Sequence, residues 1–360
     1  MKTKLFFERL LIILVFALFT AIPSSSCAQG VKVIVIDPGH GGRFPGAHYR
    51  GVYEKDIVLK VALKLGKLIE KELPHVKVVY TRTTDKHLST VLAEDLHART
   101  LIANNASGDL FISIHANAAK NTSAAGAETI LMGETPLEQQ RNESAIYAAN
   151  RDELLDMSDE KTAAIVRAYI QNLQFTYGEY SEALARLIQK GYAADGRKTR
   201  ALRYQLIKVL YGTDMPCVLT EIGFMSNPVE FSYMTSEKGQ QQIAGSIFKG
   251  VKGYVEMVNK TQSAVVKPQT PSPRRAESKP TDEGYTIQIL SSHKLLDNNS
   301  WEFKSYKGRQ WLLTAAGRFK YKYCVGRFST QEAAARELKA VREVFAGAFI
   351  VEFKNDTLKK

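Results

Sequence analysis

The sequence predicts an α/β fold: an open, mostly parallel sheet with helices on both faces, broken by a helical insert and followed by a small C-terminal α+β domain. Three observations predict it. Between Val31 and Asn117, short apolar runs rich in β-branched residues alternate with apolar residues at helical spacing, the order of βαβ units. Residues 134–209 are polar and helical in pattern, with few strand signals. A linker-like stretch at 259–284 then separates this region from a second, shorter set of strands.

The elements follow in order. Val33–Ile36 is a strand covered on both faces, stopped by Asp37, Pro38 and Gly39. Ile57, Val58, Val61, Leu65, Leu68 and Ile69 share one helical face up to Leu73-Pro74. Val76–Tyr80 is a second strand. Ser89 or Thr90 caps a second helix carrying Val91, Leu92, Leu96, Leu101 and Ile102. "LFISI", 110–114, is a third strand and ends at His115; Ala127–Met132 is a fourth. The insert breaks at "ADGRKT". "CVLTEIGFMSNP", 217–228, returns to strand and turn, and Ile243, Ile247, Val251 and Val255 fit a closing helix. Pro268, Pro271, Pro273 and Pro280 keep the linker extended. "YTIQIL", "KYCVGRF" and "AFIVEF" are strands of the last domain, and "TQEAAARELKAVREVF" is its helix.

The N-terminus reads as an export signal over residues 1–28. Lys2, Lys4 and Arg9 precede Leu10–Ile22, an uncharged apolar run too short to span a bilayer comfortably. Small residues at Ser26 and Ala28 favour cleavage after Ala28; lipid attachment at Cys27 is the rival, against three preceding serines. Cleavage leaves Cys217 and Cys324, in different domains, which argues against a disulfide framework. Cys217 lies in an apolar run and reads as core. The formal net charge is +12, and the signal carries three basic residues and one acid. The remaining positive bias suits an anionic envelope surface, and no nucleic-acid-binding motif is present.

His40 and His115 each follow an apolar strand, and parallel strands bring both to the carboxyl edge of the sheet, where ligands bind in open α/β folds. Glu54 lies between them in "GVYEKD". Two imidazoles and a carboxylate form a three-ligand zinc set with an open fourth position, the arrangement of a hydrolytic site. Glu221, in "LTEIGF", reaches the same edge and has the chemistry of a base. The plainer alternative is a pair of strand-end histidines that only hydrogen-bond loops. The remaining histidines, His48, His75, His87, His97 and His293, read as solvated or structural.

"VIDPGHGG", "EKDIVL", "LFISIHAN" and "TEIGFMSNP", in this order, resemble the zinc-dependent N-acetylmuramoyl-L-alanine amidases of bacterial cell walls, over about Val31 to Val258. The resemblance implies zinc held by His40, Glu54 and His115, with Glu221 as the catalytic carboxylate. It implies a zinc-activated water, its pKa lowered from about 16 toward roughly 7, attacking the amide between the muramoyl lactyl group and L-alanine of the stem peptide. Arg99, in "AEDLHARTLIANNASGDL", reads as a structural anchor. Many Gram-negative members place an aspartate two residues after the second histidine; here Asn117 is neutral and is not counted as a ligand. "QQRNESAIY" and the helix around Ala164–Tyr192 resemble the regulatory insert of division-associated members, in which a glutamate covers the metal until an activator protein relieves it. Glu143 is the residue this points to, and its alternative is a solvated helix carboxylate. On that reading Glu143→Ala raises basal activity.

Residues 285–354 resemble a SPOR domain, although Trp301–Phe319 departs from that pattern. The resemblance implies binding of glycan strands stripped of their stem peptides. Tyr285, Gln288, Tyr323 and Arg327 are the glycan-facing candidates, with the alternative that alternate strand residues are core. From Thr281 to Lys360, fourteen Lys or Arg face nine Asp or Glu, compatible with wall binding. The expected whole is an exported enzyme, of the periplasm or cell envelope, acting on peptidoglycan. The alternatives are a zinc peptidase of stem peptides and an inactive wall-binding protein.

Overall fold

In the structure, a computed structural model, residues 30–133, 153–265, 282–292, 295–298, 300–316, 319–345 and 347–359 are described. The expected signal, Glu143, His293 and most of the linker lie outside them.

The central sheet grows from β1 (Val33–Pro38), whose residues after Val33 are all buried. Ile34 and Ile36 face one side and Val35 the other, which is why the strand is apolar throughout. Strand β1 is flanked in parallel by β4 (Lys77–Tyr80) and β5 (Leu110–Asn117), and β5 by β8 (Cys217–Phe224). The sheet order is β4-β1-β5-β8-β6-β7, with β6 at Glu128–Met132 and β7 at Arg203–Gln205. Strand β6 is antiparallel to β8, and β7 parallel to β6. The run 118–127 between β5 and β6 explains the reversal, being short for the dozen or so residues that a parallel crossover needs.

Helix α1 (Glu54–Glu72) and the closing helix α6 (Glu237–Val265) cover one face of the sheet. Helix α2 (Leu92–Asn105) and the short α4 (Lys208–Gly212) cover the other. Helix α5 (Pro228–Thr235) is capped by Asn227, whose side chain accepts from the amides of Val229 and Glu230. The insert contributes α3 (Glu160–Ala194), capped by the Asp159 side chain. Its C-terminal half packs Leu184, Ala185, Ile188 and Tyr192 into the first core, and its N-terminal half packs Val166 and Ile170 into the second. Helix α3 thus passes around the edge of the sheet.

Two local expectations need correction. Helix α2 has Val91 at its N-cap and no side-chain cap. The Asp95 carboxylate accepts from the amides of Leu88 and Ser89 instead, so a residue within the helix ties down the chain that enters it. Helix α6 runs to Val265, past the expected linker start at Asn259, because proline does not appear until Pro268.

The last domain closes its strands in the order β10-β11-β9-β12-β13. These are β9 (Glu283–Ser292), β10 (Gln310–Thr314), β11 (Tyr321–Phe328), β12 (Phe349–Lys354) and β13 (Thr357–Leu358), with α7 (Gln331–Arg342) and a 3-10 turn at Trp301–Tyr306. Strand β10, "QWLLT", was not anticipated; at five residues it carries too little pattern to stand out. Among the described residues, Cys217 and Cys324 are both buried and form no disulfide. Burial pushes the Cys217 thiol up to about 11, as suits a core residue. Among the described residues no helix is long and apolar enough to cross a membrane.

Candidate metal centre and active site

The chain leaves β1 and turns sharply, with Gly39 donating to the Ile114 carbonyl of β5. His40 then sits at φ 59°, a left-handed conformation that is uncommon for a side chain this bulky. The surroundings enforce it. Arg99 donates to the carbonyls of Pro38 and His40 and to the Asp37 carboxylate, while its Nε bonds Asp95. Arg82 donates to the carbonyls of Pro38, Gly39 and Lys55. Asp37 also accepts from Thr81 and Ser113. Burial alone would raise the Asp37 pKa, but Arg99 and these hydroxyls hold it below the usual carboxylate value. Arg99 is thus the anchor that its sequence context suggested, and Arg82 is a second that sequence reasoning missed.

The other two predicted ligands arrive from different elements. Glu54 is the first residue of α1, and its amide and carboxylate both tie back to Ala47. The hairpin of β2 (His48–Tyr49) and β3 (Val52–Tyr53) delivers it. Glu54 Oε2 lies 3.1 Å from His40 Nε2, and Oε1 lies 3.0 Å from His115 Nδ1 and accepts from the Ala116 amide. The two imidazole rings meet edge to face, centroids 4.7 Å apart. All three residues are buried, and one donor atom from each lies within 4.8 Å of the others. Gly39 and Gly46 leave the room: a Cβ on Gly39 would stand 2.3 Å from the His115 ring, and one on Gly46 would stand 2.5 Å from both His40 and Glu54.

A fourth group stands beside the two histidines. Glu153, in the insert ahead of α3, points its carboxylate at the two rings, Oε1 at 3.5 Å from His40 Nδ1 and Oε2 at 3.7 Å from His115 Nε2. Its backbone neighbours are held by pairing of Leu154 with Ile207 and by the Leu155 amide on the Leu206 carbonyl. Glu153 thus approaches the ring nitrogens that face away from Glu54, His40 Nδ1 and His115 Nε2, so the two carboxylates flank the pair of imidazoles. Glu153 Oε2 and His40 Nε2 are buried without a well-directed hydrogen bond, although Glu54 Oε2 lies 3.1 Å from the latter. Nothing in "RDELL" marked Glu153; its position depends on a chain path that local patterning does not encode.

The electrostatics agree with this arrangement. Burial would lower the His40 pKa, yet Glu54 and Glu153 push it up to about 9. Burial would raise Glu54, yet the two histidines hold it well below the ordinary range. Glu221 sits on β8 directly opposite His115 of β5 and Glu128 of β6. It lies within its strand, which runs on to Phe224, and not at the strand's end. Burial first, then the carboxylates of Glu54, Glu128 and Glu153, raises its pKa well above the usual value. Glu128 was not predicted; as a carboxylate in an otherwise apolar strand it was the available signal. Arg200 bonds it at 3.1 Å, with Arg203 at 3.6 Å.

The other predicted positions scatter. Asn117 ends β5 with its side-chain oxygen on the Ala118 amide. His48, His75, His87 and His97 are exposed. In the last domain Gln288 and Tyr323 are buried: Gln288 bonds Ser291, and the Tyr323 ring packs on Phe303 while its hydroxyl accepts from the Leu296 amide. These two follow the core alternative and present no open face to a sugar. Tyr285 and Arg327 are half-buried, and Arg327 stacks 3.7 Å above the Trp311 ring.

Comparison with known proteins places this geometry. The chain is 29% identical over 262 residues to the probable N-acetylmuramoyl-L-alanine amidase AmiB of Haemophilus influenzae, covering 71% of this chain and 57% of that one. It is 30% identical over 232 residues to the germination-specific N-acetylmuramoyl-L-alanine amidase of Bacillus subtilis, covering 62% and 79%. The chain therefore spans little more than half the length of the first of these. The solved catalytic domain of CwlV, an N-acetylmuramoyl-L-alanine amidase from Bacillus (Paenibacillus) polymyxa var. colistinus, is 28% identical with a TM-score of 0.46, covering 62% of this chain and 98% of that one. The family's own profile matches residues 34–253, a span that takes in His40, Glu54, His115, Glu153 and Glu221, and the chain belongs to the N-acetylmuramoyl-L-alanine amidase family.

Proposed function

We propose that this protein is an exported, zinc-dependent N-acetylmuramoyl-L-alanine amidase that cuts the amide between the muramoyl lactyl group and the L-alanine of peptidoglycan stem peptides. One observation carries the reading: His40, Glu54 and His115, far apart in sequence, bring their donor atoms within 4.8 Å of one another, with Glu221 on the adjoining strand opposite His115.

Two imidazoles and a carboxylate fit zinc better than a hard cation, which prefers oxygen alone. Bound there by His40, Glu54 and His115, zinc supplies a Lewis acid that polarises the amide carbonyl and acidifies water. The chain does the rest. Glu221 accepts the proton of the attacking water and hands it to the amide nitrogen, so that the amine leaves neutral. Glu54 fixes the His115 ring by the contact at Nδ1, and the amides of Ala47 and Ala116 hold Glu54 itself. Arg99 and Arg82 keep His40 in its left-handed turn.

The insert regulates this site. Glu153, within 3.7 Å of both histidines, stands where the fourth ligand and the scissile carbonyl would have to enter. It takes the covering role for which Glu143 was the sequence candidate. An activator protein that draws the insert away would open the site. The last domain, with its net positive charge, would hold the enzyme on denuded glycan through half-buried groups such as Tyr285 and Arg327, and the setting is wall remodelling or cell separation in the envelope.

Digestion of purified sacculi tests the reading. Free L-alanine amino termini, lost on adding a chelator and restored by zinc, are expected. Cuts within the stem would make the protein a peptidase, and intact sacculi under activating conditions would make it a wall-binding protein.

A further inference from the structure

Helix α3 is gripped from two sides between Ala163 and Tyr180. On its inner side Ala163, Val166, Ile170 and Leu173 are buried, with Val166 and Ile170 in the core that contains Leu206 and Ile207, the residues that pair with Leu155 and Leu154 beside Glu153. On its outer side sits the C-terminal domain. Tyr169 stacks on Phe319 with centroids 5.4 Å apart, and Phe175 meets Phe349 edge to face at the same separation. Lys304 bonds the Glu179 carboxylate at 2.7 Å and lies 5.5 Å from the Tyr180 ring centre. Gly347 lies so close that a Cβ there would stand 2.5 Å from the Phe175 ring.

The lysine of this contact is itself unusual. Lys304 sits at φ 48°, ψ −126°, inside the 3-10 turn that packs against α6. Such backbone conformations persist only where the surroundings over-determine them. Here the ammonium is fixed by Glu179 across the domain boundary, by the Val344 carbonyl and by the faces of Tyr180 and Phe345.

We propose that the C-terminal domain is an intramolecular latch. Docked on the outer face of α3, it presses the N-terminal half of that helix onto the core and so keeps the adjoining Glu153 carboxylate between His40 and His115. Whatever draws the domain off α3, a glycan strand on the reading above, loosens the helix and frees the site. Localisation and activation then become one event: the enzyme is restrained in solution and released on its polymer. This rests on the hydrolase reading and on Glu153 as the covering group.

The test uses the full metal-loaded chain. Gly347→Leu drives a side chain into Phe175; its φ lies outside the left-handed region, so the substitution wedges the domains apart without backbone strain. Lys304→Glu sets two carboxylates against each other, and Lys304→Glu with Glu179→Lys restores the pair. Amide hydrogen exchange over residues 160–175 is expected to speed up by about tenfold or more in the two single variants and to return toward wild type in the swap. Turnover of a small soluble muramoyl-peptide, too short to need a second binding domain, is expected to rise at least about fivefold in the same variants. Unchanged exchange in both would overturn the latch. Faster exchange with unchanged turnover would overturn its inhibitory role. No turnover in any variant, Glu153→Ala included, would instead strike down the hydrolase reading on which it rests.

Discussion

Arg99 donates from Nη2 to the backbone carbonyl of His40 at 2.5 Å, so a helix on one face of the sheet grips the strained residue at the sheet's edge. Arginine is needed for its fork: the same guanidinium serves Asp37, Pro38 and Asp95. Arg99→Lys keeps the charge beside buried Asp37 but cannot span these acceptors. The chain is expected to fold, with metal affinity down by about 10–100-fold, as for other losses of the groups that orient ligands. Competition with a chromophoric chelator measures this. Unchanged affinity would mean that Arg82 alone holds the turn.

Glu221 illustrates a conflict between stability and function. Its folded-state pKa is raised, first by burial and then by three neighbouring carboxylates. A carboxyl with a raised folded pKa costs stability above its unfolded value of about 4.3, increasingly so up to the folded value. Glu221→Gln removes that cost while removing the proposed base. Turnover is expected to fall by about 10²–10⁴, and the melting temperature of the metal-free protein at pH 7 to stay level or rise. A clear fall in melting temperature would show that Glu221 is a structural partner.

Much of this was legible in the sequence, for identifiable reasons. Strands β1, β5 and β8 are apolar on both faces and end in turn residues, so their existence and the shared edge of His40 and His115 follow from local pattern. Glu54 was legible because it opens an amphipathic helix between them. Glu153, Glu128 and Arg82 were not, because each reaches the site through tertiary folding that no local period records. The reversed direction of β6 and β7 escaped for the same reason: strand direction is set by connection length and insert path, not by composition. Gln288 and Tyr323 failed as surface residues because both faces of β9 and β11 are covered, so alternation there separates two cores and not core from solvent.

The covering role proposed for Glu153 separates from that proposed for Glu143 by substitution. Glu153 places both carboxylate oxygens within 3.7 Å of histidine nitrogens. Glu153→Ala is expected to raise basal turnover on soluble muropeptide at least about fivefold without any activator, whereas Glu143→Ala leaves it near wild type. The reverse result would return the role to Glu143, and no change in either would leave the insert without a covering carboxylate.

On the zinc reading, proton and metal compete at His40. In the metal-free chain Glu54 and Glu153 push its pKa up to about 9, while Glu54 itself stays ionised. A histidine with a raised folded pKa adds stability that is fully present below its unfolded value of about 6.5 and is lost as pH rises through the folded value. The metal-free protein should therefore lose stability on going from pH 7 to pH 10. A cation can bind His40 only once that proton leaves, so apparent metal affinity should climb by about tenfold per unit between pH 6 and 8 and level off above about 9. Glu153→Ala removes one of the two carboxylates that favour the protonated ring, so its affinity curve should level off at lower pH. Chelator competition across this range reads both. A flat wild-type curve would mean that no protonated imidazole stands in the cation's place.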